Sequence, residues 1–208
     1  MTRIVALGDS TTAGTPGYLS PLEAPPAGRG DVKSQYAWWL KETHPDWDVL
    51  NRGINGERTD QIAGRFDRDV VESAPQIVII IAGVNDIYQG LPAAHPVDHL
   101  RDMYSRARRA GISVVAGSIL PFNTATAEQN IRMREVNDWI RKYAASESRI
   151  EFVDTRRACS DPRSEDLLLD SPDGLHPSPD GYRRVAEALR PTLEHISDLT
   201  GRTSPNRL

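Results

Sequence analysis

Ile77-Val78-Ile79-Ile80-Ile81 is an unbroken run of β-branched apolar residues that continues into Ala82. A half-exposed strand alternates apolar and polar residues, whereas a strand that is apolar throughout is covered on both of its faces. The run therefore predicts a central parallel strand with helices packed on either side.

Four more apolar runs, before and after this one, are predicted to be strands of the same sheet. The predicted strands are Ile4 to Leu7, Asp48 to Leu50, Ile77 to Ala82, Ile112 to Leu120 and Ile150 to Val153. Helix-like segments lie between them, near 34–43, 59–73, 97–110, 127–146 and 179–197. Alternating strands and helices indicate βαβ units, so we expect an α/β protein with three α/β/α layers and a five-stranded, mostly parallel, doubly wound sheet.

The length of the chain favours a single domain. A chain of 208 residues buries roughly 70% of its unfolded surface, enough for a stable core. No repeat or linker divides it, so we predict one domain over residues 1–198 and a frayed tail over 199–208. Ser178 and Pro179 suit the cap and the first position of the last helix.

Charge and cysteine content exclude several classes of function. The formal net charge is −4, and Lys and Arg are scattered, so nucleic acid is not an expected partner. The single cysteine, Cys159, cannot form an internal disulfide, and no Cys/His cluster has the spacing of zinc ligands.

The apolar runs are too short for targeting or membrane segments. Only Ile4 to Leu7 precede the first turn, which is less than the apolar region of a signal peptide, and Ile77 to Ala82 is far short of a bilayer span. We therefore expect a cytoplasmic protein without a membrane helix. Removal of a signal sequence before residue 1 stays open as an alternative.

Four short segments carry the residue types of a serine hydrolase, each after a predicted strand or before a predicted helix. They are Gly8-Asp9-Ser10-Thr11, Asn51-Arg52-Gly53, Gly83-Val84-Asn85-Asp86 and Asp173-Gly174-Leu175-His176. Ser10 follows the first strand, at the edge where open α/β sheets bind ligands. Taken singly, each segment also fits an ordinary turn or helix cap.

A catalytic serine needs a base within hydrogen-bond reach, and the base needs a third group to hold its tautomer. The Asp173 carboxylate can reach Nδ1–H of His176 across the turn at Gly174, which leaves Nε2 directed at Ser10. The developing oxyanion also needs donors. Candidates are the backbone N–H groups of Ser10 and Gly53 and the side-chain amide of Asn85.

In order and type, the four segments resemble the signature blocks of the SGNH (GDSL-type) hydrolases, whose Ser, Gly, Asn and His correspond to Ser10, Gly53, Asn85 and His176. The resemblance runs from residue 8 to residue 176. It implies a flavodoxin-like SGNH hydrolase fold, oxyanion roles for Gly53 and Asn85, and hydrolysis of carboxylic esters. One departure is Thr11, where the family commonly has leucine, which alters packing beside the nucleophile.

The substrate is less closely defined than the chemistry. The predicted supporting or wall residues are Asp9, Thr11, Asn55, Ile87, Tyr88 and Leu175, with Tyr18, Leu19 and Leu22 of the Gly/Pro-rich insert 13–31 and Leu91. The insert equally fits a segment packed over the domain edge. We expect a small-molecule ester with a short acyl group. An acyltransferase, a carbohydrate deacetylase and a catalytically silent binding protein are the alternatives, and the oligomeric state is open.

The remaining reactive side chains are interpreted as structural. His44, His95, His99 and His195 fit surface or helix-end positions, and Asp9, Asp60 and Asp86 fit caps and turns better than metal ligands. The neighbours Arg156 and Arg157 could lower the pKa of Cys159, but a buried, inert thiol is the more frequent case. Neither a P-loop nor a dinucleotide motif follows the first strand. We expect no metal and no cofactor.

Overall fold

The computed structural model describes residues 1–202, whose main feature is a five-stranded parallel sheet. In chain order the strands are β1 (Thr2–Gly8), β2 (Tyr18–Leu19), β3 (Arg29–Gly30), β4 (Trp47–Gly53), β5 (Ile77–Ile81), β6 (Ser113–Gly117), β7 (Ile150–Val153), β8 (Ser160–Asp161) and β9 (Ser164–Leu168). The main sheet has the order β4-β1-β5-β6-β7, and each neighbouring pair is parallel. Two small antiparallel pairs, β2 with β3 and β8 with β9, lie outside it.

Helices cover both faces of the main sheet. They are α1 (Ser10–Ala13), α2 (Tyr36–Thr43), α3 (Thr59–Gly64), α4 (Val84–Tyr88), α5 (Ala94–Arg109), α6 (Ala127–Ser146), α7 (Thr155–Cys159) and α8 (Pro179–Arg202), with a 3₁₀ turn at Val32–Ser34 and a π turn at Asp67–Val71. Alternate residues of β5 enter different cores. Val78 and Ile80 pack in the core that contains residues of α3, α5 and α6, whereas Ile79 packs with residues of α2 and α8.

This architecture confirms the predicted α/β/α fold, because all five predicted strands belong to the main sheet and β5 is fully buried. The predicted helix 59–73 is wrong as one element, since α3 ends at Gly64 and a separate π turn follows. The last helix extends to Arg202, past its predicted end. Residues 203–208 of the predicted tail lie outside the described residues.

The segment between α1 and α2 is a compact insert anchored on the loop that follows β4. The Ser20 hydroxyl donates to the carbonyl oxygen of Gly53 at 2.6 Å. The two carboxylate oxygens of Glu23 accept from the N–H groups of Ser20 and Asn55. These contacts fit the alternative in which the insert packs over the domain edge.

The described residues include no helix that is both long and apolar enough to cross a bilayer.

Candidate active site

The turn that contains the predicted nucleophile, here called the nucleophile turn, follows β1 where that strand lies between two others. Gly8, the last residue of β1, pairs with Gly53 of β4 on one side and Ile81 of β5 on the other. The segments after these three strands therefore meet at one edge of the sheet. A Cβ on Gly8 would lie 2.3 Å from the carbonyl oxygen of Ile81, so only glycine fits where the backbones of β1 and β5 come this close.

Asp9 shapes the turn, and Ser10 begins the short helix α1. The Asp9 carboxylate accepts a hydrogen bond from the Thr11 N–H at 3.0 Å and so caps α1. As the first helical residue, Ser10 has a backbone N–H without an intrahelical acceptor. Its side chain is nearly buried, with 4% of the residue exposed.

Asp173, His176 and Ser10 form a continuous hydrogen-bonded chain. The Ser10 Oγ lies 3.0 Å from Nε2 of His176, and Nδ1 of His176 lies 2.7 Å from Oδ2 of Asp173. The other Asp173 oxygen accepts from the N–H groups of Leu175 and His176 at 2.9 and 2.8 Å. Since both carboxylate oxygens are engaged, the turn holds the imidazole in one orientation.

The pKa of Asp173 reflects two opposed effects. Partial burial raises it, whereas the hydrogen bond from the His176 side chain and those from the two backbone N–H groups lower it. The net effect places the pKa below its ordinary value. Asp173 is therefore a carboxylate at neutral pH, as a partner of an imidazolium must be.

The chain of hydrogen bonds opens into a cleft of about 520 Å³, its open mouth included. The lining residues are Ser10, Thr11, Asn55, Val84, Asn85, Tyr88, Phe122, Leu175 and His176. One wall is apolar, and on it Tyr88 and Phe122 meet edge to face with ring centroids 5.6 Å apart. Tyr88 is 54% exposed and stands at the mouth.

Some of the predicted wall residues line the cleft and others do not. Thr11, Asn55, Tyr88 and Leu175 line it. Ile87 does not, because it is fully buried in the core beneath α4. Among the described residues, the lining also omits Asp9, Tyr18, Leu19, Leu22 and Leu91, since Asp9 points into the nucleophile turn and the insert packs on the loop after β4.

Sequence reasoning missed Val84 and Phe122 as wall residues. Val84 lies within one of the four quoted segments, directly before Asn85. Phe122 follows β6, and the rule that loops at carboxyl ends of strands shape such sites could have indicated it.

The prediction that the Gly53 N–H faces an oxyanion disagrees with its contacts. That N–H donates to Oδ1 of Asn51 at 2.9 Å, so it already has an acceptor. A Cβ on Gly53 would lie 2.1 Å from the backbone nitrogen of Ala13. Gly53 is therefore required for close packing of β4 against α1, and its amide is not directed at substrate.

Asn85 lies at the start of α4 with its amide in the cleft. Its Nδ2 donates to the carbonyl oxygen of Glu57 at 2.9 Å. A carboxamide nitrogen carries two hydrogens, so this bond leaves one for a ligand.

Asp86 and His95 form a second aspartate–histidine pair behind Asn85. Asp86 is fully buried and accepts from the N–H and the hydroxyl of Thr59 at 3.0 and 2.6 Å. Nδ1 of His95 lies 2.7 Å from the same carboxylate. Asp86 thus caps α3 and joins it to α4 and α5.

Asp60, Asp86 and His95 bring ligand-type atoms within 4.8 Å of one another, a spacing that could hold a metal ion. Each already has a protein partner, since Asp60 accepts two hydrogen bonds from the Arg58 guanidinium and Asp86 accepts from Thr59 and His95. These contacts agree with the capping and turn roles that the sequence favours for Asp60 and Asp86.

Asp9, which precedes Ser10, is a strongly perturbed carboxyl group. Complete burial raises its pKa to about 7, the hydrogen bond from Thr11 opposes that rise, and the charge of Asp86 adds to it. Within residues 1–202, its Oδ2 has no hydrogen-bond partner. The nucleophile turn therefore contains a carboxyl group that ionises near neutral pH.

Comparison with known proteins finds a matching family, related esterases and a solved structure of the same fold. Residues 6–184 match the GDSL-like lipase/acylhydrolase family. An acetylxylan esterase of Geobacillus stearothermophilus is 30% identical over 68% of this chain and 69% of its own, and an arylesterase of Vibrio mimicus is 26% identical over 92% and 88%. A member of the lipolytic protein G-D-S-L family from Veillonella parvula has the same fold, with a TM-score of 0.76 at 18% identity, over 93% of this chain and 99% of its own.

Proposed function

The chain belongs to the GDSL-like lipase/acylhydrolase family, and from that premise we propose that Ser10, His176 and Asp173 are the catalytic triad of a carboxylic ester hydrolase. The observation that carries the proposal is the pair of hydrogen bonds, 2.7 and 3.0 Å long, that links Asp173 through His176 to Ser10 at the floor of the cleft. This arrangement gives a weakly nucleophilic hydroxyl a base, and gives the base an anionic partner.

The proposed reaction has two stages. In the first, the Ser10 Oγ attacks the ester carbonyl while Nε2 of His176 accepts the hydroxyl proton, and His176 then returns that proton to the departing alcohol. In the second, His176 accepts a proton from water, the resulting hydroxide attacks the acyl-enzyme, and Ser10 leaves with the proton. Asp173 stabilises the imidazolium that forms in each stage.

We propose that the Ser10 N–H and the second hydrogen of the Asn85 amide stabilise the oxyanion. For the loop after β4 we propose Gly56 in place of Gly53. Gly56 follows the cleft residue Asn55, and within residues 1–202 its N–H has no acceptor. Its φ of 77° is one that glycine adopts without strain.

The proposed substrate is a small ester with a short acyl group. The cleft is small, because its volume of about 520 Å³ already includes the open mouth. The exposed ring of Tyr88 offers a flat apolar surface at the mouth, where the alcohol part of an ester would lie. An arylesterase among the relatives supports an aromatic alcohol at that position.

A carbohydrate deacetylase is the second candidate, and the relative named acetylxylan esterase favours it. Both candidates use the same acyl chemistry and differ in the alcohol. Rates on phenyl acetate and on acetylated xylooligosaccharides separate them. An acyltransferase would instead form a new ester when a primary alcohol is added to the assay.

The test of the triad is hydrolysis of p-nitrophenyl esters from acetate to decanoate by the wild type, Ser10→Ala and Ser146→Ala. Ser146 is an exposed serine at the end of α6 and serves as the control. We expect a preference for acetate and butyrate, loss of activity in Ser10→Ala and an unchanged rate in Ser146→Ala. Equal rates for the wild type and Ser10→Ala would remove Ser10 as nucleophile.

A further inference from the structure

Arg65, a buried side chain directly after α3, contacts two of the three segments that meet at the active-site edge. It is 7% exposed, and its Nη2 donates to the carbonyl oxygen of Gly8 at 3.0 Å. Its Nη1 donates to the carbonyl oxygen of Arg52 at 2.9 Å, and its Nε donates to the Glu57 carboxylate at 2.7 Å. The guanidinium therefore joins the end of β1, the end of β4 and the loop that follows β4.

The contact with Glu57 reaches the catalytic cleft through one further hydrogen bond. The carbonyl oxygen of Glu57 accepts from Nδ2 of Asn85, and the Glu57 carboxylate accepts from Arg65. Glu57 thus holds the Asn85 amide with its backbone while its side chain is held by Arg65. Asp69, itself 4% exposed, accepts from Nη1 of the same guanidinium at 2.6 Å.

From these contacts we propose that Arg65 is a positioning residue that sets the orientation of the Asn85 amide through Glu57. The inference rests on the proposed function, in which Asn85 donates to the oxyanion. Arg65 touches neither substrate nor reacting atoms. Its effect is on where the second amide hydrogen of Asn85 points when negative charge develops on the substrate oxygen.

Arginine is suited to this role because its planar fork presents five N–H donors at fixed angles. The fork satisfies two backbone carbonyls and two carboxylates from one buried position. A lysine ammonium keeps the charge but offers three donors from a single atom. It cannot reproduce contacts at Nε, Nη1 and Nη2 together, so Arg65→Lys separates geometry from charge.

The first experiment measures kcat and KM of Arg65→Lys on p-nitrophenyl acetate. A displacement of about 1 Å in a catalytic constellation costs on the order of 100-fold. We expect kcat to fall about 10- to 100-fold with KM within about threefold. Arg156→Lys is the control, because Arg156 is a buried arginine, 5% exposed, that pairs with Asp166 and does not line the cleft. It should retain kcat within about twofold.

A double-mutant cycle then tests whether the effect passes through Asn85. In an Asn85→Ala background, Arg65→Lys should lower kcat less than about threefold. Glu57→Ala, which removes the carboxylate but keeps the carbonyl, should lower kcat in the wild-type background and not in Asn85→Ala. This variant also serves if Arg65→Lys fails to fold.

Two results would overturn the inference. One is a wild-type kcat in Arg65→Lys and Glu57→Ala, and the other is the same fold-loss with and without Asn85. Ser10→Ala, assayed alongside, keeps the two proposals apart. Retained activity in Ser10→Ala contradicts the triad itself, whereas an inactive Ser10→Ala beside a normal Arg65→Lys contradicts only the role of Arg65.

Discussion

Asp173 and His176, three residues apart on one turn, are joined by a 2.7 Å contact between Oδ2 and Nδ1, while the second Asp173 oxygen holds the backbone of the same turn. The Asp173 carboxylate therefore holds His176 through both the side chain and the main chain of that histidine. A substitution that keeps the hydrogen bonds to the backbone and removes the charge can therefore separate these two contributions of Asp173.

Asp173→Asn should keep the conformation of the turn but change the tautomer of His176. The amide can still accept from the backbone N–H groups, but an amide nitrogen facing Nδ1 places the imidazole proton on Nε2, which then cannot accept from Ser10. We expect kcat to fall about 10⁴-fold. Steady-state hydrolysis of p-nitrophenyl acetate at pH 8 measures this, and a loss below about tenfold would contradict the proposed triad.

Asp9→Asn should change how stability depends on pH. The pKa of Asp9 is raised to about 7 in the folded protein from 3.8, so the folded state binds the proton more tightly than the unfolded state. The free energy of unfolding therefore falls as pH rises from about 4 to about 7, because in that range the unfolded chain has lost the proton that the folded protein keeps, and the loss is constant above about 7. The upper bound is about 4 kcal/mol.

The measurement is the difference in Tm between Asp9→Asn and the wild type at pH 5 and pH 8. We expect the difference to shift in favour of the variant at pH 8. Other titrating groups are common to both proteins and cancel in the comparison. A difference independent of pH would show that Asp9 is already ionised in the folded protein at pH 5, which contradicts a raised pKa.

Gly53→Ala should destabilise the protein for steric reasons. The new Cβ would lie 2.1 Å from the nitrogen and 2.6 Å from the Cα of Ala13, and both are backbone atoms that cannot move aside cheaply. We expect a loss of about 1 to 3 kcal/mol in the free energy of unfolding. Gly64→Ala is the control, since no neighbour lies within 4 Å of its Cβ and alanine favours helix. Urea unfolding compares the two, and equal stabilities would disprove the close packing of β4 on α1.

Asn85→Ala should lower kcat about 100- to 1,000-fold with little change in KM, because the amide acts on charge that appears in the transition state. Asn55 lines the same cleft, and Asn55→Ala should lower kcat less than about tenfold. Kinetics on p-nitrophenyl acetate distinguish them. If the two variants lose activity equally, Asn85 has no special part in stabilising the oxyanion.

Cys159 should be chemically inert in the folded protein. Burial raises the pKa of its thiol to about 12, although the charges of Arg156 and Arg184 oppose that rise. We expect no reaction with Ellman's reagent at pH 8 until urea unfolds the chain, and no loss of esterase activity with iodoacetamide. Inactivation of the native enzyme by iodoacetamide would contradict this.

Much of the fold was predictable from the sequence, because continuous apolar strands and intervening helices are local patterns. The run at Ile77–Ile81 predicts the centre of the sheet, and the structure confirms it. The family was also predictable from the order of its four segments, and the match over residues 6–184 confirms it. The prediction of secondary structure is wrong where tertiary contacts determine the end of a helix. The predicted helix 59–73 ends at Gly64, and the next residue, Arg65, turns inward.

The parts of the site that were missed depend on contacts between distant segments. In Asn51-Arg52-Gly53-Ile54-Asn55-Gly56, sequence does not tell which glycine N–H is already bonded, and the Asn51 side chain decides it. Arg65 resembles any charged residue near the end of a helix until its carbonyl acceptors on β1 and β4 are known. Phe122 enters the cleft because β6 lies beside β5, which is a property of strand order.

The hydrogen bond between Ser10 and His176 joins residues 166 positions apart. During synthesis Ser10 leaves the ribosome before His176, so for part of that time the growing chain holds the proposed nucleophile without its proposed base. With the proposed triad, ester cleavage therefore begins only when the turn at 173–176 has docked against the turn that contains Ser10. In a refolding experiment, the return of activity would time that docking, while circular dichroism would follow the formation of secondary structure.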